Sequence, residues 1–132
     1  MNKRNVLLLF SVFLVLVGQL LGETGPPIYV STFTLTGGGQ ILSVDAATGA
    51  TTVVYTSKDN LLQRPEDLTV GPDKRLYVCD PTNGQIVRMD QDGKNVETVY
   101  KQATSQLPGG PQGPRFNSTG TLFFNTKTTQ SS

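Results

Sequence analysis

Past the first 22 residues the apolar positions fall in short runs, and none keeps the 3.6-residue spacing of a helix face. The fullest unit lies between Pro65 and Tyr100. Leu68 and Val70 alternate with polar neighbours until Gly71-Pro72-Asp73 interrupts them, and Leu76-Tyr77-Val78 follows, broken by Pro81-Thr82-Asn83-Gly84. Ile86-Val87-Arg88-Met89 makes a third run, closed by Asp90-Gln91-Asp92-Gly93, and a fourth runs from Val96 to Tyr100. β-branched and aromatic residues bounded by Gly, Pro, Asn and Asp are the composition of strands joined by tight turns. The pattern predicts an antiparallel meander with strand A over 65–70, B over 76–80, C over 85–90 and D over 96–100.

The unit recurs. Ile28-Tyr29-Val30-Ser31-Thr32, Leu76-Tyr77-Val78-Cys79-Asp80 and Leu122-Phe123-Phe124-Asn125-Thr126 align as one strand. Gln40-Ile41-Leu42-Ser43-Val44-Asp45 aligns with Gln85-Ile86-Val87-Arg88-Met89-Asp90, and Thr48 to Tyr55 aligns with Asp92 to Tyr100. Pro111 precedes Leu122 as Pro65 precedes Leu76. A period of about 45 residues with four short strands is the sequence signature of propeller blades. In this register 28–55 carries strands B, C and D, 65–100 carries all four, and 111–132 carries A and B. The predicted fold class is all-β: a partial β-propeller of about two blades, each a four-stranded antiparallel meander, in an incomplete domain over 23–132. A ring takes about 4 to 8 blades. The expectation is therefore the N-terminal part of a longer propeller whose remaining blades are missing, with a short oligomerising product as the alternative.

Lys3 and Arg4 precede an apolar stretch from Val6 to Val17 that holds no charge and a single polar residue, Ser11. A basic n-region followed by an apolar h-region predicts a helical signal peptide over 1–22, removed near Gly22, and secretion to an extracellular or periplasmic space. If the leader is not cleaved, it would anchor a cell-surface structural protein in a membrane, which takes about 20 apolar residues to span. The 11 Lys and Arg against 10 Asp and Glu form no run of either sign beyond the leader, so no nucleic-acid partner is expected. Cys79 is the one cysteine and there is no histidine to activate it, so it is predicted to be a buried thiol and no catalytic residue is assigned.

Pro65-Glu66-Asp67-Leu68-Thr69-Val70, Asp73, Leu76-Tyr77-Val78, Asp80, Asn83 and Ile86 resemble the NHL-type repeat, and equally the gluconolactonase-like family of six-bladed, TolB-like propellers. Pro111-Gln112-Gly113-Pro114-Arg115-Phe116 resembles that family's Glu-Gly-Pro strand, with Gln112 where the acid stands. The resemblance covers nearly everything after residue 27. It implies one divalent cation, Ca²⁺ or Zn²⁺, held in the complete propeller by Glu, Asn and Asp oxygens. Glu66 matches the family's acid, although Asp67-Leu68 replaces the Gly-Pro, and Asn125 at the end of a strand B is the second metal candidate.

In a meander the D–A and B–C loops fall at one end, which places Asp80, Asn83 and Gln112 beside Glu66 on a binding face for a ligand or a protein. Plainer roles stand next to these: Glu66 as a solvated loop acid, Asp80 as a cap on the Pro81–Gly84 turn. Two functions follow. One is a binding scaffold without activity of its own; the other is a hydrolase of lactones or esters in which metal-bound water attacks the carbonyl. Three local motifs add little. Gly37-Gly38-Gly39 lacks the Lys-Ser/Thr of a phosphate loop and reads as a hairpin, and Asp90-Gln91-Asp92-Gly93 lacks the downstream acid of a calcium loop and reads as a turn. Asn117-Ser118-Thr119 is an N-glycosylation acceptor in an exposed A–B turn if the host is eukaryotic.

Overall fold

The computed structural model describes residues 25–34, 38–57, 61–103 and 109–126, so the predicted leader lies outside the described residues. Those residues are all-β, with no helix among them. The strands are β1 (Ile28–Phe33), β2 (Gly39–Val44), β3 (Thr51–Thr56), β4 (Leu68–Val70), β5 (Leu76–Asp80), β6 (Gln85–Met89), β7 (Glu97–Lys101), β8 (Pro111–Phe116) and β9 (Leu122–Thr126). They form three antiparallel meanders in chain order, β1-β2-β3, β4-β5-β6-β7 and β8-β9. The three copies of the tyrosine or phenylalanine strand, β1, β5 and β9, thus lie in three different sheets.

Three of the four strands of the middle unit differ in their bounds from expectation; strand C, expected over 85–90, ends at Met89. Strand A was expected over 65–70, but β4 begins at Leu68. Pro65 has no N–H to give, and the next two residues share one partner: the Glu66 N–H donates to the Cys79 carbonyl at 3.1 Å, while the Cys79 N–H donates to the Asp67 carbonyl at 2.8 Å. Two residues against one is a bulge, which ends regular pairing and re-aims the side chains. Strand D begins at Glu97 because Asn95, at φ 52°, turns the chain just before it.

The irregularities repeat with the sequence. Pairing of β2 with β3 slips between Ile41 and Leu42, and pairing of β6 with β7 slips at the equivalent Ile86 and Val87. The β8–β9 pair slips between Gln112 and Arg115, where the bulge at Glu66–Asp67 has its counterpart.

Packing is organised by the middle sheet. Alternate residues of a strand face opposite ways, and in β5 both sides are buried. Leu76 and Val78, with Val87 and Met89 of β6, pack on Ile41, Leu62 and the partly buried Tyr29, Val54 and Tyr55 of the first sheet and its exit. Tyr77 and Cys79, with Ile86 and Tyr100, pack on Phe116, Leu122 and Phe124 of the third. Tyr77 meets Phe116 edge-on at 4.8 Å between ring centroids, and Tyr100 meets Phe124 at 4.6 Å, both within the range of favourable aromatic pairs.

Gly93, at φ 80°, lets the β6–β7 turn lie directly on the Val54 carbonyl, where a Cβ would collide with backbone. At the same end Arg75 pairs with Asp90 at 3.0 Å and Glu97 at 2.9 Å, and Arg88 pairs with Glu97 at 2.5 Å. This lattice lies within the middle unit.

Replacing Leu76 with Ala removes a side chain buried between two sheets and is expected to cost about 2–5 kcal/mol. Val99→Ala, at a position 39 % exposed, should cost under about 1 kcal/mol. Urea unfolding midpoints of the two variants measure the difference, and equal shifts would contradict the two-faced middle sheet.

Candidate functional site

Asp80 closes β5 and opens the Pro81–Gly84 hairpin. Its carboxylate is fully buried and surrounded by donors. Oδ2 accepts from the Gln63 N–H at 2.8 Å and from Asn83 Nδ2 at 2.8 Å, and Oδ1 accepts from the N–H groups of Arg64 and Asn83, each at 3.3 Å. Gln85 Nε2 adds a longer contact at 3.5 Å and also donates to the Leu61 carbonyl. Of its two expected places, the binding face and the cap of the Pro81–Gly84 turn, Asp80 takes the second: it points inward, accepts from the Asn83 N–H across that turn and ties the loop at 61–64 to the β5–β6 hairpin. Asn83 is its partner in that knot.

Glu66 stands on the bulge before β4, and its side chain is 13 % exposed. Arg64 Nη2 lies 2.6 Å from Oε1, and Gln112 Nε2 of the third sheet donates to Oε2 at 2.9 Å. Next to it the Gly113 N–H donates to Asp67 Oδ2 at 3.0 Å, and from the first sheet the Ser31 hydroxyl donates to the Glu66 carbonyl. The Arg64 guanidinium lies over the Phe33 ring at 4.5 Å, and its Nε is buried without a hydrogen-bond partner. Arg64, Glu66, Pro81, Thr82, Gly109 and Gln112 line a cleft of about 220 Å³. Gly110, at φ 63°, brings its strand against Pro81 so closely that no side chain would fit there. A second cleft of about 340 Å³ continues over Thr82, Asn83, Gly84 and Lys101.

The expected partners therefore meet in part. Glu66 and Gln112, equivalent positions in successive repeats, touch. Asn125 pairs with Gln112 in the β8–β9 ladder and is exposed, in alternation with Leu122 and Phe124, which pack on the middle sheet. Both Glu66 carboxylate oxygens are engaged, one of them by a guanidinium, and the described residues contain no group of three or more His, Cys, Asp or Glu that could hold a metal ion. This donor set does not fit a divalent cation.

Asn117 sits in the exposed β8–β9 turn. Its Oδ1 accepts from the N–H groups of Thr119 and Thr121 and from the Thr119 hydroxyl, between 2.8 and 3.1 Å. Cys79 is fully buried, and burial, reinforced by the charges of Asp67 and Glu66, pushes its thiol up to about 12. It is no nucleophile.

The role of Arg64 was the feature sequence reasoning missed. Its signal was present: in an extended Arg64-Pro65-Glu66, residues i and i+2 share a side. Comparison of the chain with family models, with curated proteins and with solved structures gave no match.

Asp80→Ala should destabilise the fold by about 3 kcal/mol or more, because each buried donor left unpaired costs roughly 1–3 kcal/mol. Glu66→Gln, at the partly open cleft, should cost less; a denaturation series ranks the two. Cys79 keeps its proton in the fold to about 12 against an ordinary 9.0, so the unfolded chain loses that proton first as pH rises. Stability from this group is complete below pH 9.0 and declines as pH climbs towards about 12. Labelling by a thiol reagent at mildly alkaline pH should accordingly track global unfolding, and rapid labelling of the folded chain would refute the burial.

Proposed function

We propose that the chain is part of a secreted β-propeller of the NHL or gluconolactonase-like kind and acts as a binding scaffold rather than an enzyme. Support for the propeller comes from the repeating meander, the bulges in equivalent places and the stacking of each sheet on the next. Support for secretion is the basic and apolar leader.

The observation that carries the binding role is the cleft where the second and third sheets meet, with Arg64, Glu66 and Gln112 joined across it. At about 220 Å³ it is smaller than the roughly 300–1,000 Å³ of sites for drug-sized molecules. It suits a small polar ligand or a single side chain of a partner. The guanidinium and amide donate and the carboxylate accepts. The carboxylate that the resemblance would give to a metal is paired with Arg64, which supports the scaffold reading over the hydrolase.

Nuclear magnetic resonance of the ¹⁵N-labelled chain during addition of glucono-δ-lactone, with and without Ca²⁺, tests this reading. Amide shifts confined to 63–66, 81–83 and 109–113, weakened severalfold by Arg64→Ala and by Gln112→Ala, with no hydrolysis above the buffer rate, are expected. Ca²⁺-dependent turnover abolished by Glu66→Gln would replace the scaffold with the hydrolase. Absence of any shift would remove this cleft as a site for such a ligand.

A further inference from the structure

The chain contains a single Asn-Gly step, Asn83-Gly84, and it lies in the β5–β6 hairpin. Asparagine followed by glycine is the pair most prone to lose its side-chain ammonia, because glycine has no side chain to shield its amide nitrogen from the neighbouring Cγ. The Gly84 nitrogen gives up its proton and bonds to Asn83 Cγ. The bond from Cγ to Nδ2 breaks, ammonia leaves, and a succinimide ring closes. Water then opens the ring at either carbonyl, giving aspartate or, with the main chain rerouted through Cγ, isoaspartate. One water is consumed and one ammonia released, with no oxidant or second reagent.

In the fold both reacting groups are held elsewhere. The Gly84 N–H donates to the Pro81 carbonyl at 3.2 Å, and the Gly84 carbonyl accepts from the Gln102 N–H at 2.7 Å. Asn83 Nδ2 donates to Asp80 Oδ2 at 2.8 Å, while the Asn83 N–H donates to Asp80 Oδ1 at 3.3 Å. Asp80 is fully buried, so swinging the Asn83 side chain towards the Gly84 nitrogen strips a buried carboxylate of a donor. The turn bond and the Asp80 contact must break together. Attack therefore waits for the hairpin to open.

The product does not fit the place the amide held. An oxygen in place of Nδ2 sets a second carboxylate against Asp80, and two like charges in contact disfavour each other's ionised form. Isoaspartate in addition lengthens the main chain inside a tight turn. The same Asp80 carboxylate holds the N–H groups of Gln63 and Arg64, so what disturbs it disturbs the loop that carries Arg64 into the cleft with Glu66. We propose that Asn83 is a site of spontaneous deamidation gated by opening of the β5–β6 hairpin, and that its conversion unties Asp80 and irreversibly dismantles the Arg64–Glu66 cleft. The residue records the time the hairpin has spent open. This holds whether or not the cleft takes a ligand.

Incubation of the full chain in mildly alkaline buffer, with and without denaturing urea, provides the test, with peptide mapping by mass spectrometry to follow Asn83. Conversion there should be at least about tenfold slower in the folded chain, because only the open fraction reacts. Anion-exchange chromatography then isolates the aged, more acidic species, in which the amide resonances of Gln63 and Arg64 should have moved. Asn83→Asp should lower the urea midpoint more than Asn83→Ser, which removes the same side-chain donor without adding a charge. That ranking stands even if Asn83→Asp does not fold. Equal or undetectable conversion in the two samples, an aged species whose Gln63 and Arg64 resonances are unmoved, or an Asn83→Ser chain no more stable than Asn83→Asp would each overturn the proposal. A cleft that binds no lactone leaves all three readouts standing, so the two readings fail separately.

Discussion

The structure depends on β5 having two buried faces. A strand with one wet side can sit at the outside of a stack; a strand with none must have a sheet on each side of it. Leu76-Tyr77-Val78-Cys79-Asp80 satisfies that condition at every position. Each large apolar side chain buried there contributes about 1.5–3 kcal/mol, and the contribution goes alternately to the junction with the first sheet and the junction with the third. The flanking sheets are buried on one side only, which is why Ile28 and Phe123 are exposed while their counterparts Leu76 and Tyr77 in the middle sheet are not.

The same alternation dictates the chemistry of the strand's last residue. Leu76, Val78 and Asp80 share a side, so the register that buries Val78 also carries a carboxylate inward. A buried charge persists only where hydrogen bonds replace the water it has lost. The loop at 63–64 and the amide of Asn83 supply them. The shape of that loop follows, and with it the positions of Arg64, whose own N–H is one of the two donors, and of Glu66 two residues on. Site and core are therefore coupled through one carboxylate.

Much of this was legible in the residues. Strand alternation and the turns at Pro81–Gly84 and Asp90–Gly93 are local properties, and copying them at a fixed spacing made the partition into three, four and two strands readable before any coordinates. The bulge at Glu66–Asp67 was not readable. It arises from how two residues compete for the single partner Cys79, and no side chain announces it. The turn-capping half of the role of Asp80 was readable, but its bonds to N–H groups 16 and 17 positions earlier in the chain were not. A turn-capping aspartate and a binding-face aspartate look the same in sequence; only the distant donors distinguish them. The engagement of Glu66 by Arg64 and Gln112 belongs to the same class, since Gln112 lies 46 positions away.

The polar contacts divide the molecule's two ends by function. At the end bearing Asp73 and Glu97 the ion pairs stay within the middle unit. The Tyr29 hydroxyl, donating to Gln91 at 3.0 Å, reaches there from the first sheet. At the Glu66 end the directional contacts run between sheets: Ser31 to the Glu66 carbonyl, Gln112 to its carboxylate, Gly113 to Asp67. Apolar junctions are non-directional and tolerate small rotations of one sheet on another. Hydrogen bonds do not, because their strength falls steeply as the angle degrades. The angle between the sheets is therefore set mainly at the Glu66 end. Anything that binds among Arg64, Glu66 and Gln112 acts on the contacts that fix that angle, and so on the arrangement of all three sheets.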